Sequence, residues 1–525
     1  MMKRVFLFFV LVILFFVSKY SFAEKNEKVL VFYFSIADSS TFSTNERVAD
    51  VVLKIGNKKL FNETIFVGDK LTICNSFPND SLISLQIKTY RGFVCDIRNG
   101  EEKLKTTFTK KVIDIKDTVF IDLKTDESNT YQYLYYSLDK KTKKPYRIPA
   151  LAQTSEGTLL AVSDHRPCWA DIGFGEVDLK IRTSKDYKNW SEERFIADGK
   201  KKKKNVFDCG FGDVAIVADR ESDEVLIMCV AGRQAFPSAT KEKHNFMARI
   251  RSKDGGKSWE KAEDVTSMFM NVKGKYNPIL PEVYSMFFAS GRILQSKIFK
   301  AKNSKYYRLY ASLLTNSANG HDNYVVYSDD FGQSWNLLGD ICVKGGDEAK
   351  VEELNDGSIV VSSRKSHGRF FNIFTFTDVE TAKGYWQTAV CSNEVNGGIS
   401  VGANSCNGEL LKVRVINNQT NKECDLLLQS LPTGDNRKNV TIFFKELDNN
   451  KQYTPTTLAE NWSKGIQVSD RLSAYSTMIL QNDNRVGFLF EEEPNDYCIV
   501  YVAFTIEQIT NGLYRVNEKK CVSLP

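Results

Sequence analysis

Ser252-Lys253-Asp254-Gly255-Gly256-Lys257-Ser258-Trp259 and Ser328-Asp329-Asp330-Phe331-Gly332-Gln333-Ser334-Trp335 are two copies of one octapeptide, Ser-x-Asp-x-Gly-x-Ser-Trp. A shortened copy runs from Ser184 through Asp186 to Trp190, and degenerate echoes precede Trp386 and Trp462. The physics of this Asp box is local. The Asp carboxylate accepts backbone N–H groups of its own turn, Gly supplies a backbone conformation other residues avoid, and Ser ties the turn ends. The Trp then covers the apolar end of a hairpin. Repeated hairpin turns of this kind are the signature of a radial array of β-sheets. A calcium-loop reading of Asp-x-Gly fails, because the spaced oxygen ligands and closing Glu of an EF-hand are missing.

Working outward, strand-like runs separated by turn signals fill residues 134–525, with almost no helical periodicity. Five of the six tryptophans fall there at intervals of 69, 76, 51 and 76 residues. A repeat of about 65 residues leaves room for six four-stranded blades. Upstream, residues 24–133 carry short β segments such as KVLVFYFSI, ADVVLKIG, SLISLQIKTY and DTVFIDLK, and no tryptophan. The predicted fold is therefore all-β: a six-bladed β-propeller over 134–525 preceded by a small β-sandwich-like domain over 24–133. The stretch DESNTYQYLYYSLDKKTKKP reads as the joint between them. Propellers carry their functional groups on inner-strand loops at one end of the channel, so the Asp boxes are expected to be scaffold.

Composition narrows the function. With 42% hydrophobic residues, 31 Gly and 11 Pro, the 525-residue chain is globular, not disordered or collagenous. Four histidines argue against His-rich metal sites and His acid–base chemistry. Lys3 and Arg4, the apolar run Val5 to Val17, and a small-residue site ending at Ala23 make residues 1–23 a signal peptide. The apolar run is too short to span a bilayer. The expected location is secreted, periplasmic or cell-surface, with no integral membrane segment after processing. Loss of Lys3, Arg4 and Lys19 reduces the formal charge from +6 to +3, which is no nucleic-acid footprint. The eleven cysteines include no CxxC pair, and several sit in apolar runs, so buried thiols are the default and any bridge is unassigned. No metal or other cofactor is expected. Lys200 to Lys204 form a run of five lysines, read as a solvated loop unless it flanks a site mouth, where it would steer anions.

Tyr146-Arg147-Ile148-Pro149-Ala150, followed by GTLLAVSDHR ending at Arg166, resembles the exo-α-sialidase (neuraminidase) family of six-bladed propellers. Segments in the same order as the family's motifs run from 134 to about 510. The resemblance implies a cluster of three arginines, Arg147, Arg364 and Arg437, for the substrate carboxylate, with Arg166 in the family's Asp-x-Arg context. It implies Tyr475, in SAYSTMIL, as nucleophile and Glu348, in GGDEAK, as its base. Glu491, in FEEE, would support Arg147. Asp171 is the expected acid–base residue of the loop after Arg166, with Glu176 the outside candidate, while Asp178 reads as the turn residue that opens the strand DLKIRTS. Trp169 beside it would wall the pocket or pack in the core. Asp213, in GFGDVAIVAD, would accept a hydrogen bond from a sugar hydroxyl. Secreted sialidases of host-associated Bacteroidota are the nearest likeness, and the N-terminal domain suits a carbohydrate-binding or spacer module.

The residue types fit the substrate such a family would take. Sialic acid carries a carboxylate on its anomeric carbon, and the arginine fork binds carboxylates bidentately. A carboxylate nucleophile would be repelled there, whereas a neutral phenol is not. The expected activity is retaining hydrolysis of sialylated glycoproteins, glycolipids or oligosaccharides. A trans-sialidase or intramolecular trans-sialidase on the same residues stays open, as does an inactive sialic-acid-binding propeller.

Overall fold

A computed structural model of the protein describes residues 27–516 apart from 37–46, 68, 70, 79–81, 91–92, 100–101, 108–110, 115–118, 126–129, 138–144, 201–203, 273–277, 367, 402–405, 449–450 and 494–496. The expected signal peptide and three of the five lysines of the run lie outside the described residues. The chain divides between Thr130 and Tyr131 into two compact units.

In the first unit, alternation of apolar and polar residues builds two sheets. Ile83–Thr89 buries every second side chain, as a strand with one face on a core must. It pairs with Arg47–Ile55, which also pairs Lys58–Phe66. The second sheet orders Leu71–Pro78, Glu27–Ile36, Val119–Thr125, Phe93–Asn99 and Glu102–Thr107. Val51, Leu53, Leu85 and Ile87 from one sheet share a single core with Phe32, Ile97, Ile121 and Leu123 from the other.

The second unit holds six sheets among its described residues. Five are built mainly from consecutive strands. They start from Tyr146–Gln153, Phe211–Ala218, Ser285–Phe288, Ala349–Glu353 and Leu410–Asn417. The sixth joins Ser473–Leu480, Val486–Glu492 and Cys498–Phe504 to Gln132–Tyr135 from the start of the unit. Gln132 pairs with Tyr501 and Tyr133 with Val500, so the stretch read as a joint supplies a strand that ties the unit's beginning to its end. The arrangement is propeller-like. No helix among the described residues is long and apolar enough to cross a membrane.

The Asp boxes form as their chemistry dictates. Asp254 Oδ1 accepts from Ser252 Oγ at 2.8 Å and from the Ser258 backbone N–H at 2.8 Å, and Ser258 Oγ donates to Asp254 Oδ2 at 2.5 Å. Asp330 repeats the pattern with Ser328 and Ser334 at 2.7, 2.9 and 2.6 Å. These bonds to a charged acceptor hold the Asp254 carboxyl at about 2, with Ser258 the main donor. Each tryptophan then reaches the preceding sheet or its flank. Gly256 and Trp259 sit on Leu160, and Gly332 and Trp335 on Leu226, where a Cβ on Gly332 would lie 2.4 Å from the leucine. Trp386 donates to the Leu338 carbonyl, Trp462 stacks on Phe371 at 5.4 Å, and Trp190 meets Tyr501 edge-on at 5.1 Å. The motif is thus an inter-sheet clamp as well as a turn. Cys95, Cys168, Cys229, Cys342, Cys406 and Cys424 are free thiols, all buried except the partly exposed Cys168.

Asp254→Ala or Asp330→Ala removes a charged acceptor from an exposed turn, a loss of about 1–2 kcal/mol. The thermal midpoint is expected to fall by a few degrees with turnover intact. Unchanged melting of both variants would show that the boxes do not clamp the sheets.

Candidate active site

The innermost strands of the sheets start at one end of the second unit, and their hairpin partners finish there. Arg147, Asp213 and Tyr475 lie near the starts of Tyr146–Gln153, Phe211–Ala218 and Ser473–Leu480, and Glu348 directly precedes Ala349–Glu353. Arg166 follows Leu159–His165, Arg364 and Glu491 lie near the ends of Ile359–Lys365 and Val486–Glu492, and Arg437 occupies the turn after Glu423–Gly434. Residues as far as 344 positions apart in sequence are brought together from five sheets. Three inner strands carry a register shift at the same level, between Arg147 and Ala150, Gly212 and Ala215, and Ser473 and Ser476. Such bulges re-aim side chains. Ile148, Asp213 and Arg437 adopt φ of 58°, 53° and 59°, a region that bulky residues avoid.

Glu491 is the anchor. Its fully buried carboxylate accepts from Arg147 Nε at 2.8 Å and Nη2 at 3.2 Å, from the Ile148 N–H at 2.8 Å, and from the Tyr475 N–H at 3.0 Å. The Ile148 bond holds the strained backbone beside Arg147. Burial works against the Arg147 cation, but the Glu491 charge and hydrogen bond, with Tyr475 and Asp171, together outweigh it and the guanidinium stays protonated. The Arg147 guanidinium carbon lies 5.7 Å from the centre of the Tyr475 ring and 5.0 Å from that of Tyr497.

Tyr475 lies at the centre. Arg364 Nη1 donates to its hydroxyl at 3.0 Å and to Glu348 Oε2 at 2.6 Å, so one guanidinium bridges the phenol and the carboxylate. Arg437 approaches the ring centre to 5.8 Å. Burial raises the Tyr475 phenol well above its ordinary value, the Glu348 charge adds to that, and Arg364 opposes it. The phenol is therefore neutral at rest. Burial also pushes the Glu348 carboxyl up, against the pull of Arg364. A raised carboxylate bridged to a phenol by one guanidinium is chemically suited to take its proton.

On the far side, Arg166 is buried and bridges two carboxylates. Its Nη2 donates to Asp164 at 2.9 Å and its Nη1 to the exposed Asp171. Asp164 also accepts from the Asp213 N–H at 3.2 Å. Burial lifts Asp164 to about 6 despite Arg166, and lifts Asp213 well above its ordinary range, with Asp164 adding to the effect. Arg166 favours the ionised form of both acids, while each acid's charge disfavours the other's.

All nine residues read as site candidates thus converge through Glu491, Tyr475 and Arg166. Glu176 and Asp178 do not join them: their carboxyl oxygens group with that of Asp198. Asp178 is engaged by His165 Nδ1 at 2.9 Å and the Gly199 N–H at 3.0 Å, and Asp198 by Lys200. Asp164, Asp347, Cys406 and Tyr497 were not singled out by the sequence reading. Asp347 pairs with Arg364 Nε at 3.2 Å, and the Cys406 thiol is held up at about 11 by burial despite Arg437 and Arg364. The Asp-x-Arg pattern before Arg166 and the acid before Glu348 were the available signals for Asp164 and Asp347.

Comparison with known proteins agrees with this geometry. The family description BNR repeat-like domain matches residues 175–488. A sialidase of Micromonospora viridifaciens is 26% identical over 360 residues, covering 66% of this chain and 50% of the relative. A Clostridium perfringens sialidase is 22% identical, covering 67% and 87%. The chain therefore matches about half the length of the Micromonospora protein. Among solved structures, the Hadza microbial sialidase Hz136 superposes with a TM-score of 0.59 at 16% identity, covering 92% of this chain and 94% of that one. A mutant of NanB sialidase from Streptococcus pneumoniae gives 0.58 at 15% identity, covering 93% and 96%. Because the matched description spans more than half of the 525 residues, the chain belongs to the BNR repeat-like family, related to bacterial sialidases.

Proposed function

We propose that the second unit is a six-bladed propeller carrying a retaining exo-α-sialidase site. The observation that carries this reading is the placement of three guanidiniums, Arg147, Arg364 and Arg437, around one buried phenol, with Arg364 bridging that phenol to Glu348. Three cations facing one point match a substrate whose carboxylate sits on the reacting carbon. Fixed positive charge around a nucleophile also requires that the nucleophile not be a carboxylate in competition with the substrate.

In the first step Glu348 takes the Tyr475 proton and the phenolate oxygen attacks the anomeric carbon. The glycosidic C–O bond breaks, and Asp171 gives its proton to the leaving oxygen. In the second step Asp171 takes a proton from water, whose oxygen attacks the same carbon. The sugar–tyrosine bond breaks, and Glu348 returns its proton to the phenolate. The two inversions give net retention. Arg364 is suited to steady the phenolate, because it already donates to both Tyr475 and Glu348. Asp213 and the Arg166–Asp164 pair serve the sugar side of the pocket.

Purified protein incubated with 3′- and 6′-sialyllactose is expected to release free sialic acid whether or not excess lactose is present. Sialylated transfer products without free sialic acid would favour a trans-sialidase, and neither product would contradict the reading. Tyr475→Phe is expected to lower kcat by at least about a thousandfold, within the range for loss of a base-assisted nucleophile.

Because Glu348 is pushed above the ordinary 4.5 of a glutamate, it is protonated, and useless as a base, at pH values where a surface glutamate is ionised. The kcat/KM profile is therefore expected to rise with pH through an inflection above 4.5, and Glu348→Gln to abolish that limb with the residual activity. An inflection at or below 4.5 would remove Glu348 from the role. Glu491→Gln leaves the Arg147 cation without its charged partner. Kinetics and melting are expected to show kcat/KM down by about a hundredfold and a lower thermal midpoint, as when one half of a buried pair is lost. An unaffected variant would contradict the anchor role.

A further inference from the structure

Five of the six tryptophans are used as scaffold: Trp190, Trp259, Trp335, Trp386 and Trp462 each pack on a core cluster between sheets. Trp169 belongs to none of the core clusters of the described residues and is 49% exposed. It stands two residues before Asp171 with φ of 62°, a conformation that costs a bulky side chain of order 1–3 kcal/mol and persists only where surroundings enforce it. The surroundings do. The Trp169 N–H donates to the Arg166 carbonyl at 2.9 Å and the Phe174 N–H to the Asp171 carbonyl at 3.3 Å, so two successive turns start at the partners of one ion pair. The second turn is packed from outside, where a Cβ on Gly173 would lie 2.3 Å from the Ala235 backbone, and the loop closes on itself, where one on Gly175 would lie 2.6 Å from Cys168 Cβ. Each turn ends in an exposed aromatic, since Phe174 is 64% exposed. The loop thus carries Asp171 on the chain between two solvent-exposed aromatics, Trp169 and Phe174.

We propose that Trp169 is the platform of a leaving-group subsite, stacking on the apolar C–H face of the pyranose to which the sialic acid is joined, with Phe174 on the other flank of Asp171. This deepens the sialidase reading and rests on it. The group that protonates the leaving oxygen must stand beside the leaving sugar, so aromatic rings that flank Asp171 face that sugar and not the sialic acid held by the arginines. A pyranose ring offers an apolar face to an aromatic and hydroxyl edges to solvent, which suits half-exposed rings.

The test compares 3′-sialyllactose, which has a pyranose leaving group, with methyl α-sialoside, which has none. In Trp169→Ala the KM for sialyllactose is expected to rise about tenfold relative to that for the methyl sialoside, while Trp169→Phe retains most of the wild-type ratio; tenfold corresponds to about 1.4 kcal/mol, the scale of an aromatic stacking contact. An unchanged ratio in Trp169→Ala overturns the proposal, and so does an equal rise in KM for both substrates, which would assign Trp169 to the sialic-acid side or to pocket shape. Saturation-transfer NMR of lactose alone gives a readout free of catalysis, with contact expected in the wild type and lost in Trp169→Ala. If the wild type cleaves neither substrate yet shows this lactose contact, the sialidase reading fails while the sugar platform stands. If it cleaves sialyllactose but lactose contact is insensitive to Trp169, the platform fails and the sialidase reading stands.

Discussion

One buried carboxylate decides whether the site exists. Glu491 receives the Arg147 guanidinium and the backbone N–H groups of Ile148 and Tyr475, from strands that begin the first sheet and the sixth sheet of the second unit. An ion this deeply buried is tolerable only when its lone pairs are filled. Filling them requires the two sheets to meet in one register, with Ile148 in a left-handed conformation. Closure of the unit, strain at the Arg-Ile-Pro segment and the position of the central tyrosine are therefore one constraint.

The second consequence is electrostatic. Cations at Arg147, Arg364 and Arg437 surround a phenol kept neutral by burial, an arrangement that suits the anionic substrate of the proposed reading. Glu348 is the counterweight, buried beside Arg364 and pushed up by burial against that arginine's pull. Around Arg166, burial likewise raises Asp164 and Asp213, and the arginine opposes the rise. Each side of the proposed site thus has a proton donor or acceptor whose state is set by burial together with a named arginine.

The Asp boxes were legible because everything they need lies within eight residues: the acceptor, the glycine and the covering tryptophan. The Arg147 segment was legible through its family resemblance, which a contiguous run, Tyr146 to Ala150, is enough to carry, and the structure places a bulge within it. What the sequence did not disclose depends on pairing between distant strands. Gln132–Tyr135 read as part of a joint because its partner, Cys498–Phe504, lies more than 360 residues away. Asp164 acquires its role only when the bulge at Gly212 presents the Asp213 N–H to it. Tyr497 sits under Arg147 from a segment with no motif of its own. Trp169 was the odd tryptophan in the sequence, but only its exposure and strained backbone separated a pocket wall from core packing.

The central claim is that the neutral phenol of Tyr475 bonds covalently to the sugar during turnover. A sialic acid bearing fluorine at the anomeric carbon and at its neighbour has a good leaving group, while the second fluorine slows breakdown of whatever adduct forms. Incubation followed by peptide mass spectrometry is predicted to show one adduct per chain, on the peptide containing Tyr475 and localised to that residue. An adduct on a carboxylate, or none in protein that turns over sialosides, would contradict the account.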